Sequence, residues 1–199
     1  MFENDTIVAI ATANGIGSIS IVRVSGAKAL EIATKISKKN NFQARLATLS
    51  TIYDSKNEII DEALVIYFKA PFSFTGEDVV EFQCHGGVAI SNMIVDEVLN
   101  AGARLANPGE FSKRAFFNNK IDLTKAEAIS KIIEARSADA VKLLARQLKG
   151  ELTNFVDEIR EDLLFMLAYT EVSIDYAEED LPTDIYEQIE NKMQKISLK

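Results

Sequence analysis

Apolar residues follow two different rhythms along this chain. In the first hundred residues they come in short β-branched runs between breakers. Thr6–Ala11 (TIVAIA) and Ser18–Val24 (SISIVRV) read as strands around a tight loop holding Asn14-Gly15 and Gly17. Ala29, Leu30, Ile32, Ala33 and Ile36 then fall on one helical stripe within Ala27–Ser37. Ala44–Asp54 and Ile60–Lys69 read as a strand pair turned by Asp54-Ser-Lys-Asn57. Asp78–Cys84 is a further strand, Val88–Leu99 a helix and Arg104–Ala106 a last short strand. Asn107-Pro108-Gly109-Glu110 predicts a helix start with Asn107 at the N-cap and Glu110 at N3. Strands and helices mix without a strict βαβ order, so the expectation is an α+β fold.

Beyond Lys120 the period is helical throughout. Thr124 and Glu127 suit a capping box. Ile129, Ile132, Ile133, Val141, Leu144 and Leu148 form one stripe, and Leu152 to Leu167 continue it after a break at Gly150. An antiparallel pair of long helices is predicted, with a third starting near Pro182–Asp184. That last helix runs to Lys199 without a capping signal.

Charge and punctuation divide the chain at the same place. Residues 1–120 hold 13 acids and 12 bases, whereas 121–199 hold 17 acids and 10 bases. Eight of nine glycines lie at or before Gly109. Two differently built domains, 1–120 and 121–199, follow. The net charge of −8 argues against a chain that coats nucleic acid unaided. A single cysteine excludes an internal disulfide. No signal peptide and no membrane-length apolar run is seen, so a cytoplasmic protein with no membrane association is expected.

Familiar catalytic patterns are missing. Cys84 and His85 are neighbours on a strand and so point to opposite faces; they read as a core thiol and a turn imidazole. No further histidine or cysteine completes a metal site. Gly15-Ile-Gly17 precedes a strand and not a helix, which excludes a dinucleotide motif, and no G-x-x-x-x-G-K-[ST] occurs. Residues 171–190 carry eight acids and no base, and read as a solvated helix end and loop. The segment 107–128 stands out: two helix starts, Lys113-Arg114, Phe116-Phe117 and an Asn-Asn-Lys turn.

That segment carries a resemblance. PGEFSKRAFFNNKIDLTKAEAI at 108–129, NDTIVAIATANGIGSISIVRVSG at 4–26 and APFSFTGEDVVEFQCHGG at 70–87 resemble the MnmE (TrmE) family of tRNA-modification GTPases. VSIDYAEED at 172–180 is similar to the family's acidic segment after its first helices. The resemblance is collinear over nearly the whole chain. It implies an α+β, mixed-sheet folate-binding domain of aminomethyltransferase type, followed by the first half of a helical domain. It implies a homodimer formed through the N-terminal domain, and an FAD-dependent partner subunit. With that subunit, C5 of the wobble uridine (U34) in tRNA receives an aminomethyl-type group. The one-carbon unit comes from 5-formyl- or 5,10-methylene-tetrahydrofolate. GTP, Mg2+ and K+ belong to a G domain whose motifs these 199 residues lack. No catalytic residue is expected in this chain. Arg23, Glu81 and Lys120 match the family's folate-contacting positions. A carboxylate suits a pterin's paired N–H donors, and cations suit a glutamyl tail. Two rival readings are a dimer platform without folate binding and a stand-alone one-carbon transferase.

Overall fold

A computed structural model describes residues 5–175 and 184–197. The chain divides into two compact units, Met1–Ile121 and Asp122–Lys199. The first holds strands β1 (Ile7–Ile10), β2 (Ile19–Ser25), β3 (Ala47–Tyr53), β4 (Ile59–Phe68), β5 (Val79–His85) and β6 (Arg104–Leu105). Its helices are α1 (Ala29–Ser37), α2 (Val88–Asn100) and α3 (Glu110–Phe117). The strands form one mixed sheet in the order β3-β4-β5-β2-β1-β6. Every pairing is antiparallel except β1 with β6. The architecture is α+β, as the mixture of short elements predicts.

Period-2 alternation decides which side of the sheet is buried. Val8, Val22, Val24, Val65, Val80, Phe82 and Cys84 point to one face, where α1 contributes Ile32, Ala33 and Ile36 and α2 contributes Ile94, Val95 and Val98. Each fully buried branched or aromatic side chain there stabilises by about 1.5–3 kcal/mol relative to exposure. The second face is covered at one end only, where Thr75 and Glu77 bond to Ser25. Further along it, Ile19 is 62% exposed and Leu49 57% exposed, and Leu64 is also exposed.

Two tight approaches shape the loops. Asp54 Oδ1 accepts from the backbone N–H groups of Lys56 and Glu58, closing the predicted β3–β4 turn. At Gly86 the β1–β2 loop lies so close that a Cβ would sit 2.3 Å from the Gly17 carbonyl oxygen. Gly17 and Gly86 also exchange backbone contacts, with the Gly17 N–H donating to the Gly86 carbonyl. This is why the residue after β5 is glycine.

The helix starts differ from expectation in two places. Asn107 is not the cap of α3: the helix begins at Glu110 with Gly109 at the N-cap in the left-handed region. The Asn107 N–H does donate to Glu110 Oε2, but across a turn that precedes the helix. Thr124 is not a cap either. Asp122 caps the next helix by accepting from the Lys125 N–H, and the Thr124 hydroxyl donates to the same carboxylate.

The second unit contains α4 (Leu123–Glu134), α5 (Ala138–Leu148), α6 (Glu151–Asp175) and α7 (Asp184–Ser197). The stripe from Ile129 to Leu148 is therefore two helices, broken at Ala135–Ser137, where Ser137 accepts from the Ala140 N–H. Asp122 also accepts from the Thr153 hydroxyl, tying the starts of α4 and α6 together, while Gln147 at the end of α5 donates to the Thr124 carbonyl. Lys192 pairs with Asp162, and Lys195 with Glu158, so α6 and α7 run antiparallel. Part of the acidic run at 171–190 lies outside the described residues.

Candidate functional site

Two of the three predicted site residues meet directly. Arg23 on β2 and Glu81 on β5 are cross-strand partners, so both side chains rise from the second sheet face. Arg23 Nε and one terminal nitrogen each lie 2.7 Å from Glu81 Oε1. The arginine side chain is 29% exposed and the carboxylate 14%. Among the described residues, Glu81 Oε2 accepts no hydrogen bond. The guanidinium carbon stands 6.0 Å from the Phe74 ring centre and 5.8 Å from that of Phe111, at the reach of cation–π attraction. The site is thus an ion pair on a sheet, flanked by two aromatic rings.

Lys120 makes no contact with that pair among the described residues; it lies against the neighbouring 72–77 loop. Its Cε lies 3.0 Å from where a Cβ on Gly76 would stand, so its stem lies across the 72–77 loop that carries Phe74. Gly76 has φ +79, a left-handed conformation that favours glycine. Asn118 Nδ2 donates to the Thr75 carbonyl at 2.6 Å, fixing the turn before Lys120 onto that loop. Lys120 makes no ion pair among the described residues, and the residue is exposed.

An ion cage around the buried Arg114 supports this arrangement, and no motif in the sequence marks it. Arg114 is only 2% exposed and bonds Asp5 Oδ1, Glu77 and Glu110. Arg104 bonds Asp5 and both oxygens of Glu110. The Arg104 hydrogen bonds hold the Glu110 carboxyl at about 2, against the opposing cost of burial. Arg114 was visible only as half of a basic pair. Phe74 and Phe111 were visible as members of quoted motifs, but nothing in their spacing ties them to Arg23.

Cys84 and His85 separate as the alternation requires. The thiol is buried, and burial raises its pKa. The imidazole is 71% exposed, with Nδ1 2.7 Å from Asp61 Oδ1. Among the described residues no three His, Cys, Asp or Glu side chains cluster to hold a metal. No described helix is long and apolar enough to cross a membrane.

The residues fit a folate in kind. A carboxylate oxygen that accepts no hydrogen bond would suit a donor edge, two phenylalanine rings would offer apolar walls to a pteridine, and an ammonium without an ion pair would suit a carboxylate tail. The fit differs from sequence expectation in one respect: Arg23 and Glu81 act as one coupled pair and not as two separate contacts.

Fold and site together define a mixed-sheet α+β domain with a charged, aromatic-flanked site, followed by an all-helical unit. The family model for the GTP-binding protein TrmE N-terminus matches residues 6–120, and that for the MnmE helical domain matches 123–199. The chain belongs to the MnmE (TrmE) family. It is 99% identical over all 199 residues to the tRNA modification GTPase MnmE of Aliarcobacter butzleri, of which it covers 45%. It is 64% identical over 194 residues (98% of this chain, 44% of the relative) to the protein of that name from Sulfurimonas denitrificans. The Wolinella succinogenes protein is 51% identical over 193 residues, 97% of this chain and 42% of the relative. The chain spans less than half the length of these relatives.

Proposed function

We propose that this chain is the folate-binding and dimerising part, with the first half of the helical domain, of a tRNA-modifying GTPase. In this reading the parent enzyme works with an FAD-dependent subunit and alters C5 of the wobble uridine of tRNA to an aminomethyl-type derivative. GTP, Mg2+ and K+ act in segments outside these residues. Bound tetrahydrofolate supplies the one-carbon unit.

The observation that carries the reading is the Arg23–Glu81 pair beside Phe74 and Phe111, on the sheet face that α1 and α2 leave open. Glu81 Oε2 accepts an N–H from the pterin edge. Arg23 fixes the orientation of that carboxylate. Lys120 meets a tail carboxylate. The chain's part in the reaction is to bind and orient; none of these groups is a nucleophile or holds a proton in transit.

Calorimetric titration with 5-formyltetrahydrofolate tests this. Wild type is expected to bind, and Glu81→Gln and Arg23→Ala each to weaken binding more than about tenfold, or about 1.4 kcal/mol. Unchanged affinity in both variants overturns the site. The exposed Ile19, Leu49 and Leu64 favour a second outcome, a dimer platform. Dimerisation without any folate binding by wild type selects that reading.

A further inference from the structure

We propose that Thr75 and Arg114 are positioning residues that set the aromatic flanks of the Arg23–Glu81 pair, so that this site is built by a hydrogen-bonded strap and not by the sheet alone.

The sheet places Arg23 and Glu81 opposite each other, but neither ring beside them belongs to a strand. Phe74 sits on the 72–77 loop and Phe111 on α3. What brings loop and helix to the arginine is a continuous set of polar contacts. Thr75, adjacent to Phe74, is fully buried, and its hydroxyl lies 2.7 Å from the Ser25 hydroxyl. Ser25 is on β2, two residues beyond Arg23 and on the same face of the strand. The Ser25 hydroxyl also reaches Glu77 Oε2 at 2.7 Å. Arg114 donates to both oxygens of Glu77 at 3.1 Å and to Glu110 on its own helix at 3.1 Å. Thus Arg114 locks α3, which carries Phe111, to the loop that carries Phe74. Thr75 locks that loop to the strand that carries Arg23.

The other end of the same loop holds Lys120. Asn118 bonds the Thr75 carbonyl, and the Lys120 stem crosses Gly76. One five-residue stretch, Ser73–Glu77, therefore touches both the strand that carries Arg23 and the stem of Lys120. A buried guanidinium bound to three carboxylates is costly to assemble and adds little net stability over apolar packing of the same volume. Specifying one arrangement of loop and helix is the role that fits this cost.

The test uses the 199-residue chain, with Thr75→Val, Thr75→Ser, Arg114→Lys and, as a control, Asp61→Asn. Asp61 is a buried carboxylate paired with His85, five residues along β4 from Ile66, the partner of Glu81. Two readouts are taken: the Arg23 side-chain N–H resonance in 15N-labelled protein, and calorimetric affinity for 5-formyltetrahydrofolate. Thr75→Val and Arg114→Lys are expected to move the Arg23 resonance, because the flanking rings shift. Thr75→Ser keeps the hydroxyl and the wild-type resonance, and Asp61→Asn leaves it in place at a comparable loss of stability. Binding falls roughly fivefold or more in the first two variants. An unmoved Arg23 resonance in Thr75→Val, or an equal movement in Asp61→Asn, overturns the proposal. If Arg114→Lys does not fold, the two Thr75 variants decide. The affinity arm rests on the folate reading. If wild type binds no folate that reading fails, and the resonance arm alone judges the strap.

Discussion

The carboxyl of Glu110 is held at about 2 by its bonds to Arg104, so it stays ionised in the native state far below the range where an unfolded glutamate takes up a proton. A lowered carboxyl pKa stabilises the fold above the unfolded value and loses that contribution as pH falls towards the folded one. Glu110 therefore adds stability, on the order of 3 kcal/mol, that is complete above about pH 5 and gone near pH 2. Asp5 and Asp61 act in the same direction, since hydrogen bonds to them outweigh the burial that opposes ionisation. Urea unfolding between pH 3 and 7 is expected to show falling stability in acid, with a flatter curve for Glu110→Gln. Identical curves for the two proteins would count against the cage. A second residue-scale prediction concerns Cys84. A buried, protonated thiol reacts slowly, so Ellman's reagent is expected to label it only after unfolding. At this scale the charged members of the site were legible through the resemblance of their motifs. Phe74 and Phe111 were not, because contact with Arg23 depends on where a loop and a helix fold back, which no local spacing records.

Among the elements, the strands and the first two helices follow directly from alternation and stripe. The helix starts do not: a Thr124–Glu127 capping box is what the pattern suggests, and the chain caps α4 with Asp122, two residues earlier. Asp122 prevails over Thr124 because an ionised carboxylate accepts three hydrogen bonds at once, from Lys125, Thr124 and Thr153. Asp122→Ala is accordingly expected to cost about 2 kcal/mol, and Thr124→Ala well under half of that, by thermal melting. The reverse ranking would restore Thr124 as the cap. The break at Ala135–Ser137 leaves no mark in the pattern, since a stripe of period 3.6 carries across a short turn almost unchanged. Gly86 shows the opposite limit: its need for glycine comes from the Gly17 carbonyl, far away in sequence.

At the scale of the whole molecule, an α+β sheet followed by helices is what the chain forms. Which sheet face would be left uncovered was not legible, since Ile19 and Leu64 are as apolar as the residues on the packed face. An exposed apolar face of this kind in a folded domain calls for a partner surface. With a second copy as that partner, sedimentation at micromolar concentration is expected to give twice the mass of one chain. Leu64→Glu is then expected to yield monomer without loss of secondary structure. A wild-type mass near that of a single chain would refute this.

The parallel pairing of β1 with β6, and the ion cage beside it, join Asp5 to Arg104 and Arg114. The beginning of the first unit is thus clasped by its end. A nascent chain leaving the ribosome carries β1 long before it carries α3, and so holds its opening strand with one edge unpaired while most of the unit is translated. The two flanks of Arg23 come together only after Phe111 has emerged. Synthesis itself therefore orders assembly: β1 to β5 can pair before α3 exists to dock beside them.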